Sequence, residues 1–137
     1  MVLVLKKGEQ MKLGYTLIYV DDVVKTMNFY EKAFGLEAGF LHESKDYGEM
    51  KTGDTKLGFV HHNTAKSHNF KYQKISPKKN APGIEIAFTT TDVKKAFTKA
   101  VKAGAKTMSK PSKKPWGQVV SYVRDCNGVL VEICSAM

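Results

Sequence analysis

The chain has 137 residues, 42% of them hydrophobic, enough to core one domain and too few for two. No run is long enough to span a bilayer, Met1 to Leu5 is too short for a secretory signal, and two cysteines exclude a disulfide framework, so a cytoplasmic protein without membrane contact is expected. The charge of +9 raises the question of nucleic acid, but Arg124 is the one arginine among 22 basic residues and the lysines are scattered without interleaved aromatics, so no nucleic-acid partner is expected.

Residues 12–20 (Lys-Leu-Gly-Tyr-Thr-Leu-Ile-Tyr-Val) are rich in branched and aromatic side chains, which predicts a strand buried on both faces. Asp21 and Asp22 stop it and open a helix, because an acidic side chain accepts from the free amides of a first turn. Val23, Met27, Tyr30 and Phe34 follow at helical spacing, and Gly35 supplies a left-handed end. Strands are expected near 38–43, 47–52 and 56–62, divided by Lys45-Asp46 and Gly53-Asp54. Residues 63–81 hold five lysines and no acid and read as a connector. The order then begins again. Gly83 to Thr90 reads as a strand, Asp92 as a cap, Val93, Ala96, Phe97, Ala100 and Val101 as an apolar helical stripe, and Gly104 as its end. Further strands are expected near 106–109, 117–124 and 129–134, with Asn127-Gly128 as a hairpin turn.

This recurrence is the most informative feature of the chain. Asp22-Val23 returns as Asp92-Val93, Phe34-Gly35-Leu36 is echoed by Ala103-Gly104-Ala105, and Leu57-Gly58-Phe59 aligns with Val131-Glu132-Ile133. Three matches in one order predict an α+β fold of two βαβββ modules about a pseudo-twofold axis. Module one covers about 12–62, a connector 63–81, and module two about 82–134, all within one domain over 11–137 that follows an N-terminal extension, 1–10.

Four segments carry a family likeness: Tyr-Val-Asp-Asp-Val (19–23), Phe-Tyr-Glu-Lys-Ala-Phe-Gly-Leu (29–36), Ile-Ala-Phe-Thr-Thr-Thr-Asp-Val (86–93) and Tyr-Val-Arg-Asp-Cys-Asn-Gly-Val-Leu-Val-Glu-Ile (122–133). In them the chain resembles the vicinal oxygen chelate superfamily, which includes glyoxalase I, bleomycin-resistance proteins, fosfomycin-resistance proteins and extradiol dioxygenases. The resemblance implies an open, barrel-like cavity, a homodimer and, in glyoxalase-like members, a divalent metal held through the first and last strand of each module. Carried over, these ligand positions fall on Tyr15 and Gly58 in the first half and on Glu85 and Glu132 in the second. Family enzymes place histidine, glutamine or glutamate there, so half of the set is missing. Two carboxylates and a phenol make a hard, weak site without imidazoles, and no tightly bound metal cofactor is expected.

Side chains two apart on a strand share a face. If Tyr15 looks into the cavity, so do Leu17 and Tyr19; with Glu85 go Ala87 and Thr89, with Glu132 goes Cys134, and with Gly58 go Val60 and His62. Ile84, Ile86, Phe88, Val131, Ile133, Leu57 and Phe59 would then pack under the helices. Glu132 and Glu85 are the catalytic candidates, because a carboxyl among apolar neighbours and beside a like charge holds its proton more tightly. The alternative is that both are satisfied by Tyr15, Tyr19, Thr89 or water and only hold the pocket together. Tyr15, Tyr19, His62, Thr89 and Trp116 are the substrate-binding candidates; His61 faces away from His62, and His42 and His68 are expected in solvent. The first functional reading is a protein that binds a small organic molecule through Glu85 and Glu132 without tightly held metal, and that acts as a glyoxalase-type lyase or isomerase if it is an enzyme. The alternatives are a drug- or toxin-sequestering protein of the bleomycin-resistance kind and a metal-dependent lactoylglutathione-lyase-like enzyme.

Overall fold

The computed structural model describes residues 10–137, so the N-terminal extension lies, but for Gln10, outside the described residues. The elements are β1 (Tyr15–Val20), α1 (Val23–Phe34), β2 (Ala38–Leu41), β3 (Tyr47–Met50), β4 (Lys56–His61), α2 (His62–Lys66), β5 (Glu85–Thr89), α3 (Val93–Lys102), β6 (Lys106–Lys113), β7 (Val119–Arg124) and β8 (Leu130–Cys134). The caps form where the acids and glycines stand. Asp22 accepts from the Lys25 amide and Asp92 from the Lys95 amide, and Gly35 ends α1 at φ 71°.

The repeat is a repeat of topology. One sheet has the order β1-β4-β3-β2 and the other β5-β8-β7-β6; the first and last strand of each module run parallel, and the remaining pairs are antiparallel. Among the described residues no closed barrel forms. Leu17 pairs with Gly58 in the first sheet as Ala87 pairs with Glu132 in the second. Tyr15 and Glu85 are therefore equivalent positions, and so are Gly58 and Glu132.

The two long helices, α1 and α3, lie on one face of the sheets. Val23, Met27, Tyr30 and Ala33 of α1 and Val93, Phe97 and Ala100 of α3 join Met50, Phe59, Val123, Val131 and Ile133 in a single core that spans the modules. Polar ties cross the same boundary. The Tyr30 hydroxyl donates to Asp125 Oδ2 at 2.6 Å, and Asn127 Nδ2 donates to Thr26 Oγ1 at 3.0 Å. Buried Arg124 donates to three carbonyls, of Gly128 at 2.8 Å, Lys79 at 2.6 Å and Ser76 at 3.0 Å, which pins the connector to the β7–β8 turn. That contact is why position 128 is glycine. Its φ is +96°, and a Cβ there would come within 2.8 Å of Pro77 N and Ser76 C.

Two expectations shift. The strand expected to run through residue 62 ends at His61, because His61 caps the short helix α2 by accepting from the Asn63 amide, so His62 leaves the sheet. The strand expected near 106–109 extends to Lys113 as β6, with register shifts between Thr107 and Ser109 and between Ser109 and Ser112. Bulges let an edge strand stay paired across a sequence that breaks simple alternation at Pro111.

Candidate functional site

The face of the sheets turned away from the helices carries the chemistry-bearing side chains. On module two, Glu132 of β8 is 9% exposed, and the Tyr122 hydroxyl of β7, directly opposite in register, donates to its Oε1 at 3.2 Å. Glu85 of β5 comes within hydrogen-bonding reach of Glu132. Burial, then the hydrogen bond and charge of Glu132, hold the Glu85 carboxyl above its usual range. The same group pushes up its other neighbours. The Tyr122 phenol is raised by burial and then by Glu132, and the Cys134 thiol by burial and then by the nearby Glu132. Glu85 itself remains open to solvent, where the sequence suggested that both acids would be enclosed.

The matching place on module one is filled differently. A Cβ on Gly58 would lie 2.7 Å from Leu17 Cδ2, 3.2 Å from Gly48 O and 3.4 Å from Tyr47 Oη. The carboxylate comes instead from Glu49 on β3, paired in register with Gly58, and Tyr47 donates to its Oε2 at 2.7 Å. The Tyr47 phenol is pushed far up by burial and by Glu49. Each module thus offers a tyrosine–glutamate hydrogen bond, assembled from different strands.

Where the two sheets meet, a cavity of about 250 Å³ opens between β1 and β5. Its walls include Leu17, Tyr19, Ile84, Glu85 and Ile86, with His62, Tyr72 and Ile75 closing it from the connector side. His62 is 5% exposed. Its Nδ1 lies 2.6 Å from the Tyr72 hydroxyl and its Nε2 3.5 Å from Asp21 Oδ1, which assigns the proton to Nε2 and makes Tyr72 the donor. Burial, then Lys74, keeps the imidazole below 6.5 and therefore neutral at pH 7.

The structure brings Glu85 to both Glu132 and the seam cavity, and Tyr19 and His62 into the cavity wall. Tyr15 stands on the same face, 57% exposed, and Thr89 pairs with Cys134 at the far end of the strip. Trp116 lies apart from the cavity, 63% exposed, its indole donating to Gln118 Oε1 at 2.9 Å. The sequence reading passed over Tyr47, Glu49, Tyr72 and Tyr122. Hairpin arithmetic gives three of them, since a turn centred on Asn127 sets Tyr122 against Glu132 and one at Gly53-Asp54 sets Glu49 against Gly58 and Tyr47 against Val60. Nothing local announces Tyr72.

A model of the Glyoxalase/Bleomycin resistance protein/Dioxygenase superfamily matches residues 12–133. The chain belongs to that superfamily. YraH of Bacillus subtilis (strain 168) is 27% identical over 124 residues, which cover 90% of this chain and 97% of that protein. Among solved structures, a glyoxalase-related enzyme from Fulvimarina pelagi is similar with a TM-score of 0.79 at 17% identity, covering 93% of this chain and 89% of that one. TioX from Micromonospora sp. ML1 has a TM-score of 0.70 at 16% identity, covering 93% of this chain and 100% of its own. These likenesses show the shared fold.

Within the superfamily the four metal-ligand positions of this chain do not make a ligand set. Gly58 has no donor and its side-chain space is occupied, Tyr15 stands largely in solvent, and only the carboxyls of Glu85 and Glu132 remain. Among the described residues no group of three or more His, Cys, Asp or Glu is placed to hold a metal ion.

Proposed function

We propose that this member of the glyoxalase/bleomycin resistance superfamily binds a small organic molecule on the helix-free face, with Glu132 and Glu85 as its polar contacts and without tightly held metal. The observation that carries the reading is the placement of Glu85 and buried Glu132 on one face of adjacent strands, close enough for Glu132 to raise the Glu85 carboxyl. Two neighbouring carboxyls accept hydrogen bonds, so they can grip a hydroxyl or a basic nitrogen, and one that takes up a proton can act as general acid toward a bound substrate. Tyr19 and His62 supply the cavity wall, Tyr15 and Thr89 flank the strip, and Trp116 offers a ring at the β6–β7 end.

A sequestering role is favoured by one further observation. Tyr15 at 57%, Leu17 at 44% and Phe40 at 49% leave a broad apolar surface beside the acids, which suits holding a ligand more than turning it over. The same surface supports a homodimer, in which a second copy would cover it; sedimentation of the protein at micromolar concentration should give twice the chain mass. Two free cysteines, Cys126 and Cys134, agree with a reducing cytoplasm. No helix of the described residues is long and apolar enough to cross a membrane.

A thermal-shift screen of hydroxylated, amine-bearing and antibiotic compounds tests the reading, since binding to the native state raises the midpoint by mass action. Hits that Glu132→Gln abolishes support it. A panel of hits all indifferent to Glu132→Gln would reject the assigned role of the acids.

A further inference from the structure

The seam cavity has a charge and a wall chemistry that select a ligand class. Tyr19 and Tyr72 meet edge to face, with ring centroids 4.9 Å apart and planes at 67°, and so form a two-walled aromatic corner. His62 stacks behind Tyr72 at 5.7 Å and 10°, and the 2.6 Å hydrogen bond between them fixes the Tyr72 ring in place. The remaining walls are mostly apolar, from Leu17, Ile75, Ile84 and Ile86, with Thr16 and Gln73 between them, and Glu85 is the carboxyl of the lining. Although the chain carries 22 basic residues, among the described residues no lysine or arginine lines this cavity.

These features discriminate between charge types. An anion would meet a carboxyl and the electron-rich faces of two phenols with no cation to offset them. A neutral ligand would leave the Glu85 carboxylate with only water to offset its charge. A cation satisfies both, because aromatic faces attract positive charge and gain strength where water is excluded. Neutral His62 adds no opposing charge to the wall. The apolar sides suit an alkylated ammonium better than a compact, strongly hydrated ion.

We propose that the seam cavity takes the ammonium head of a small organic cation, seated in the Tyr19–Tyr72 corner and neutralised by Glu85, which rests on the reading that Glu85 contacts the ligand. The body of such a molecule would extend along the strip toward Glu132.

The test uses choline and its uncharged isostere 3,3-dimethylbutan-1-ol, titrated into the ¹⁵N-labelled full chain by NMR. Choline should shift the amides of Tyr19, Tyr72 and Glu85 saturably and bind about tenfold or more tightly than the isostere. Glu85→Gln, at a solvent-open position, should weaken choline about tenfold and leave the isostere unchanged. Tyr72→Phe, which keeps the ring, should retain most of the choline affinity, and Tyr72→Leu should lose it. Equal binding of the two probes, no saturable choline shift at the cavity, or choline binding indifferent to Glu85→Gln would each overturn the proposal. If choline fails while other compounds still depend on Glu132, the cation assignment falls and the ligand-binding reading stands. If choline binds with this pattern and Glu132→Gln alters no ligand, the assignment stands and the role of Glu132 falls.

Discussion

Tyr122 and Glu132 face each other across the β7–β8 hairpin, and the Tyr122 hydroxyl donates to Glu132 Oε1 at 3.2 Å. A hydroxyl that donates to a carboxylate holds it in one orientation. Tyr122→Phe should therefore change the Glu132 side-chain carboxyl ¹³C shift at fixed pH and weaken any ligand that depends on Glu132. The stability loss should be small, about 1 kcal/mol.

Glu85 gives the fold a pH dependence of definite sign. Its carboxyl is raised above 4.5 in the folded chain, by burial first and then by Glu132. The native state thus binds that proton more tightly than the unfolded chain, so its stabilising contribution is complete below 4.5 and is lost as pH rises through the elevated value. Urea denaturation of the wild type and Glu85→Gln across this window should show the wild type losing stability relative to the variant as pH increases.

His62 acts in the opposite direction. Its imidazole is held below 6.5 by burial first and then by Lys74, with His61 and Lys66 adding to the effect and Asp21 opposing it. A base with a depressed value stabilises the fold above 6.5 and ceases to as pH falls through the folded value. Acidification below neutrality should lower the denaturation midpoint, and His62→Gln should flatten that dependence.

The bond from Tyr30 to Asp125 ties α1 of one module to the end of β7 in the other at 2.6 Å, with both residues buried. Burial pushes up both groups, so the hydroxyl stays a donor. Asp125 also accepts from the Asn127 and Val129 amides at 2.8 Å, and Tyr30→Phe would remove the third donor from a buried carboxyl. The expected cost is about 1–3 kcal/mol in chemical denaturation, with the denaturant slope unchanged.

How far the chain can be read unaided follows from the range of each interaction. Asp22, Gly35 and Asp92 act within one turn of helix, and their roles are visible in the sequence. The two-residue alternation of β5 and β8 likewise places Glu85 and Glu132 on one face. Tyr122 and Glu49 needed one more step, counting outward from a turn to the opposed strand. The seam cavity needed knowledge of how residues 72–79 cross the modules, and that path is set by Arg124 reaching the carbonyls of Ser76 and Lys79, 48 and 45 residues away. Contacts over such separations leave no period or spacing to detect.

Gly58 has a consequence for anyone who would engineer the site. Restoring a side-chain donor there is not a one-residue reversion, because Leu17 already occupies the space the new Cβ would enter and the Tyr47 hydroxyl stands beside it. Leucine 17 would have to shrink in the same step, and Glu49 would then crowd a second acid against the first. Gly58 and Leu17 thus form one packing unit, and a donor enters the first module only when both change together.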